Sequence, residues 1–172
     1  MNNHSTAPLL ARALREAFSE GTAHSTAFFE RVIDLRPHEA AAIPIAGAAS
    51  IWTLASGVWS ALRATRLRVL GGMPEPAALA PAPAERDEPA GYALLQDLQA
   101  AEARLRELLI RQEPARFEPG SPEFDCELFA ELLSVIALLA ESGGQIAILR
   151  QAQGLSAIAG AGPRGMRTDA TP

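Results

Sequence analysis

The sequence predicts an all-α protein that combines a long hydrophobic Ala-rich helix, a C-terminal helical hairpin with a coiled-coil-like seam, and short amphipathic helices. Three observations indicate this fold class. Aromatic residues make up 5% of the chain, and Ala, Leu, Glu and Arg are abundant, which favours helices over strands. An uncharged run of 23 residues extends from Ala40 to Leu62. Apolar residues also recur at steps of three and four between Leu94 and Leu108, which is typical of a helical seam.

Residues 1–36 predict two short amphipathic helices. Ser5 or Thr6 can cap the first, Pro8 occupies a first-turn position, and Gly21 ends the helix. Ser25 can cap the second helix, which ends at Pro37 and carries Phe28, Phe29, Val32 and Leu35. Such helices either lie at a membrane interface or pack on the rest of the fold.

The long hydrophobic helix is predicted over residues 37–70. Because proline has no amide donor, we expect either a kink at Pro44 or a helix that starts near Ile43. As a helix, residues 40–62 are long enough to cross a hydrocarbon core of about 30 Å. This stretch is therefore a possible membrane span. Insertion is marginal, because Ala is nearly neutral and the Ser, Gly and Pro residues oppose it.

Small residues spaced by four form two files along this helix, where another helix could approach closely. The predicted helix-packing interface comprises Ala42, Ala46, Ala49, Ser50, Thr53, Gly57 and Ala61.

Residues 71–91 predict a Pro/Ala-rich linker, and residues 92–159 an acidic helical hairpin followed by a C-terminal helix. The first hairpin helix is expected from about Pro89 to Gln112, with a seam of Leu94, Leu98, Ala101, Leu105 and Leu108.

The second hairpin helix is expected from Pro122, capped by Ser121, to about Glu141, with a break at Ser142-Gly143-Gly144. A last helix is expected over 145–159 and a disordered tail over 160–172. The second helix has more apolar residues than one seam needs, which predicts a covering partner. This predicted partner-binding apolar surface comprises Phe124, Leu128, Phe129, Leu132, Leu133, Val135, Ile136 and Leu139.

Charge and composition exclude several function classes. The chain contains no Lys, which removes lysine-based nucleophiles and the phosphate-binding lysine of a P-loop. The net charge is −5, so the basic footprint of a nucleic-acid-binding protein is absent. The excess of acidic residues lies after residue 72, where it is interpreted as a solvated helical surface.

No catalytic, cofactor-binding or metal-ligating pattern is present. Cys126 is the single cysteine, which rules out an intrachain disulfide and a cysteine zinc site. No histidine follows His38, so the Glu-x-x-His pairs of di-metal bundles are missing. Glu127 and Glu131 lie one turn apart and are interpreted as a solvated face, and Cys126 as a structural or incidental thiol.

We therefore expect a non-enzymatic protein with no cofactor and no small-molecule substrate. The first hypothesis is a membrane-associated protein that assembles with partner helices through the small-residue face, with the acidic hairpin as a docking module. The alternative is a soluble helical scaffold, adaptor or structural subunit of a larger assembly. Both hypotheses imply a protein partner or a homo-oligomer, in the cytoplasm or at the cytoplasmic membrane.

Overall fold

The computed structural model of the chain describes residues 6–21, 26–73 and 88–158, and all regular structure in these ranges is helical. The all-α prediction is therefore confirmed. The described ranges contain five α-helices, which are α1 (Thr6–Arg15), α2 (Pro37–Ala41), α3 (Ile51–Val69), α4 (Glu88–Arg111) and α5 (Cys126–Ala152). A π-helical turn at Glu16–Glu20 and 3₁₀ turns at Phe29–Arg31 and Pro114–Phe117 complete the fold.

The four longer helices form a bundle in the cyclic order α1, α4, α3, α5. The helix α3 packs against α4 on one side and α5 on the other, and α1 packs against α4 and more lightly against α5. This order places α1 diagonally opposite α3, and α4 diagonally opposite α5. Each helix directs its apolar stripe to a common core, in which Leu62, Leu98, Leu105 and Leu139 are fully buried.

The first helix follows the prediction closely, whereas the second does not form. α1 buries Ala7, Leu10, Ala11 and Leu14, and Gly21 ends the π-helical turn at a φ of 67°. The predicted helix after Ser25 is wrong: only Phe29–Arg31 make a single 3₁₀ turn. Phe28 and Phe29 enter the core instead, with ring centroids 6.0 and 5.3 Å from that of Phe18.

The prediction of one long helix over 37–70 is also wrong. The helix α2 ends at Ala41, residues 42–50 are non-helical, and α3 begins only at Ile51. Pro44 provides no amide donor and restricts the residue before it to extended backbone. Ser50 then starts the new helix, because its hydroxyl accepts a hydrogen bond from the Thr53 N–H at 3.1 Å.

The helix α4 begins and ends within one residue of its prediction, but its partner differs. Leu94, Leu98, Ala101 and Leu105 are buried as the seam predicts, and Leu109 is buried where Leu108 was expected. These residues face α1 and α3, while direct contacts between α4 and α5 are few. Consecutive helices α4 and α5 therefore do not form the predicted paired hairpin, because they lie diagonally opposite each other in the bundle.

The helix α5 runs without interruption through the predicted break and is longer than expected. Its N-cap is Asp125, whose Oδ1 accepts from the Leu128 N–H at 3.0 Å; Ser121 is not the cap. Ser142 and Gly143 are buried inside the helix. The apolar stripe continues past the glycines to Ile146, so burial of this last part on the core outweighs the low helix propensity of glycine.

The predicted caps Ser5 and Ser25 lie outside the described residues. So do most of the 71–91 linker, the last residue of the predicted C-terminal helix, and the 160–172 tail.

Candidate functional site

The predicted helix-packing interface is not a single helical surface. Ala42, Ala46 and Ala49 lie in the non-helical segment before α3, and Ser50 is its buried N-cap. Within α3, Thr53 and Gly57 are exposed and Ala61 is half-buried. No heavy atom lies within 4 Å of a Cβ built on Gly57. Thr53 and Gly57 therefore face away from the bundle, whereas Ala61 packs against its core.

The predicted partner-binding surface on α5 is divided between the core and the outside. Leu128, Leu132, Val135 and Leu139 are buried in the core of the chain itself. Phe124, Phe129 and Ile136 are half-buried, and the rings of Phe124 and Phe129 lie 5.6 Å apart. Leu133 is 47% exposed.

The helix α5 has an exposed face of which the sequence pattern predicted Leu133 alone. We call it the outer face of α5, and it comprises Ala130, Leu133, Ser134, Ala137, Ala140, Glu141, Gly144, Gln145 and Ile148, all exposed. Glu141 is the one charged residue between Glu131 and Arg150. The spacing of small residues along 130–144 would have indicated this face if the helix had been expected to continue past Glu141.

The only helix in the described residues that is long and apolar enough to cross a membrane is α5. The predicted span 40–62 is not one helix, because it includes the non-helical segment 42–50. The helix α5 is a candidate membrane span by its length and composition alone. In the bundle, 39% of its apolar stretch is buried. The core helix of a soluble bundle meets the same criteria.

Acidic residues at the start of α5 form a polar contact with α3. The Thr65 hydroxyl donates to Glu131 Oε1 at 2.8 Å, and Arg68 Nε lies 3.4 Å from Glu131 Oε2. Arg68 Nη2 lies 3.5 Å from Glu127 Oε2. These carboxylates therefore join two helices, and no group of three or more metal-ligating side chains is found among the described residues.

Arg116 joins the ends of three helices at one end of the bundle. Its Nη1 donates to the Val69 carbonyl at 2.8 Å and to Gln112 Oε1 at 3.0 Å. Its Nη2 lies 3.3 Å from Asp125 Oδ2. The Leu128 N–H, and secondarily Arg116, stabilise the ionised Asp125 and lower its pKa.

Arg150, near the C-terminal end of α5, also joins separate segments of the chain through hydrogen bonds. Arg150 is buried, with 2% of its surface exposed. Nη1 and Nη2 bind the two carboxylate oxygens of Asp34 at 2.7 and 3.2 Å. Nη1 also donates to the Arg31 carbonyl at 2.9 Å, and Nε to the Ser156 carbonyl at 2.5 Å. This arginine therefore attaches the segment before α2 to the end of α5.

Glu102 is the one buried carboxylate among the described residues, and it lies on α4 at 6% exposure. Arg106 Nε lies 3.2 Å from its Oε1. Burial raises the pKa of Glu102 and outweighs the opposing effect of Arg106. Cys126, by contrast, is exposed at the start of α5.

A half-open cavity of about 240 Å³ lies between the segment 32–40 and the beginnings of α3 and α4. Its walls are mainly apolar, and Trp52 and Tyr92 contribute aromatic rings. Asp34 and Arg36 provide the charged groups of its lining.

Comparison with known proteins identifies no relative: no family model matches the chain, and neither a curated protein nor a solved structure is significantly similar to it.

Proposed function

We propose that the protein is a non-enzymatic helical module that assembles with a partner helix through the outer face of α5, as a scaffold, adaptor or subunit of a larger assembly. The observation that supports this proposal is the composition of that face. It presents small residues over 130–144 with Leu133 near one end and Ile148 at the other, which are 47% and 58% exposed.

Such a face suits a helical partner for two physical reasons. Side chains as small as Ala137, Ala140 and Gly144 let a second backbone approach closely, so that many weak dispersion contacts form. Leu133 and Ile148 each lose exposed apolar area when covered, at about 25 cal/mol per Å². A partner that covers Glu141 has to leave its carboxylate in solvent or supply a donor.

Membrane association is the second candidate, and the observation that favours it is the length and apolar composition of α5. Full insertion of this helix would require Leu132, Leu139 and Ile146 to leave the core, where each is at most 2% exposed. We therefore rank assembly of the folded bundle above insertion.

The experiment compares Ala137→Arg with Ala93→Arg, an equivalent change at an exposed alanine on α4. Both substitutions lie on solvent-facing helical positions, where the effect on stability is about 0.5 kcal/mol or less. Light scattering without detergent should give the wild type a mass above 18.2 kDa, the mass of one chain. Ala137→Arg should reduce that mass, and Ala93→Arg should leave it unchanged.

Two outcomes contradict the proposal. One is a wild-type monomer whose co-purifying proteins are the same in both variants. The other is retention of the wild type in carbonate-extracted membranes, which would favour the second candidate instead.

A further inference from the structure

The cavity between the segment 32–40, α3 and α4 has a buried apolar floor and an exposed rim. Val32, Ile51, Trp52 and Leu94 line it, and each is at most 6% exposed. Ile33 and Tyr92 also line the cavity but are 49% and 66% exposed. The cavity therefore presents concave apolar surface that the chain itself does not fill.

A glycine keeps two walls of the cavity close together. A Cβ built on Gly91 would lie 3.3 Å from Pro37 Cγ and 3.7 Å from Trp52 Cζ3. The first distance is tighter than most Cβ contacts, so with a larger residue at 91 the Pro37 ring would have to shift by a few tenths of an ångström. Glycine at this position therefore allows the first turn of α4 to lie close to Pro37 and to the Trp52 ring.

The two charged side chains of the lining differ in their hydrogen bonds. The Asp34 carboxylate is bound on both oxygens by Arg150. The Arg36 guanidinium has no hydrogen-bond or ion-pair partner within the described residues, although the Arg36 backbone N–H donates to Glu39 Oε2 at 2.8 Å. The Tyr92 hydroxyl likewise has no partner in the described part of the chain. The lining thus offers one guanidinium and one hydroxyl whose donors are available to a ligand.

We propose that this cavity is a binding site for a small organic carboxylate with an apolar body. The apolar body lies against Trp52, and the carboxylate binds Arg36, whose planar guanidinium matches the two carboxylate oxygens. A cavity of about 240 Å³ is smaller than most ligand sites, which span about 300–1,000 Å³, and this limits the ligand to roughly ten to fifteen non-hydrogen atoms. The site uses none of the outer face of α5, so it is independent of the proposed assembly.

The test uses 3-phenylpropionate as the probe and 3-phenylpropanamide as its neutral isostere. Binding is followed through the two indole N–H signals in ¹H–¹⁵N spectra of the full chain. The signal of Trp52 should shift and that of Trp59, which does not line the cavity, should not. We expect a Kd on the order of 0.1–1 mM for the carboxylate and at least about five-fold weaker binding of the amide.

Variants separate the two parts of the site. Arg36→Gln should remove the preference for the carboxylate and leave the affinity for the amide unchanged. Arg104→Gln, a matched change at an exposed arginine of α4, should leave both affinities unchanged. Ala55→Leu fills the cavity and should abolish both; if that variant does not fold, the Arg36→Gln comparison still decides.

The proposal is overturned if the Trp52 signal does not move at 10 mM of either probe. Equal affinities of the wild type for the acid and the amide would also overturn it, as would a carboxylate preference that survives in Arg36→Gln.

Discussion

Replacing Gly144 by Ala tests whether α5 is continuous. Gly144 is exposed in the helix, and apart from the adjacent helix backbone no atom of the described residues lies within 4 Å of a Cβ built on it. The substitution therefore changes helix propensity with no new packing contact, and glycine is about 0.8–1.0 kcal/mol less favourable than alanine in a helix interior. We expect Gly144→Ala to raise the free energy of unfolding by about that amount, which corresponds to roughly 2–4 °C in Tm for a chain of this size.

Gly71 provides a control, because its replacement by Ala should lower the free energy of unfolding rather than raise it. It follows α3 at a φ of 78°, again with no atom within 4 Å of a built Cβ. Since the left-handed conformation costs an L-residue roughly 1–2 kcal/mol, Gly71→Ala should lower stability by about that amount. Both variants are compared with the wild type by urea denaturation, followed by circular dichroism. A neutral or destabilising Gly144→Ala would refute the continuous helix, because the chain would then break at 142–144 as the sequence pattern indicates.

Three further predictions concern ionised side chains. Asp34→Ala should lower the free energy of unfolding by about 2 kcal/mol, because the buried Arg150 loses two charge-assisted hydrogen bonds; a loss in urea denaturation no larger than that of the exposed Glu30→Ala would contradict this. Glu102→Gln should stabilise the protein at pH 7, because a raised pKa means that the ionised form is disfavoured by folding. This gain should shrink as the pH falls through the raised folded pKa of Glu102 and should be lost below the unfolded pKa of about 4.3, and thermal melts that show no change with pH would exclude it. Asp125→Ala should cost about 1 kcal/mol at neutral pH. Because folding lowers the pKa of Asp125, its contribution is present above the unfolded pKa and should be lost as the pH falls through the folded pKa; Asp125→Asn, which keeps an N-cap acceptor, should cost less in the same melts.

Comparison of the predicted and observed helices shows which local sequence features are sufficient to predict where a helix begins and ends. The bounds of α4 differ from the prediction by one residue at each end, because a long periodic apolar stripe and flanking prolines are local features. The same reasoning fails for α5, where Ser142-Gly143-Gly144 resembles a break. The penalty for two glycines, about 2 kcal/mol, is outweighed by burial of Ile146 and Leu149, whose neighbours in space are distant in sequence.

The candidate sites likewise depend on contacts between residues that are distant in sequence, which local patterns do not predict. The small-residue interface was assigned to residues 42–61, of which the nine residues 42–50 are not helical. The outer face of α5 depends on helix continuity, and so a sequence pattern that ends at Glu141 does not reveal it. The cavity at Trp52 is formed by three segments that come together only in the folded chain, and no local pattern indicates it.

By itself, the sequence determined the helical class, the positions of α1 and α4, and the residues that prefer burial, because propensity, capping and periodicity act within a few turns. Only the tertiary structure decided that α3 begins at Ile51, that α5 is one helix, and that α4 and α5 lie diagonally opposite each other in the bundle. An apolar stripe shows that a helix face must be covered without identifying the helix that covers it. Packing at close density selects among those arrangements, and it depends on all the helices together.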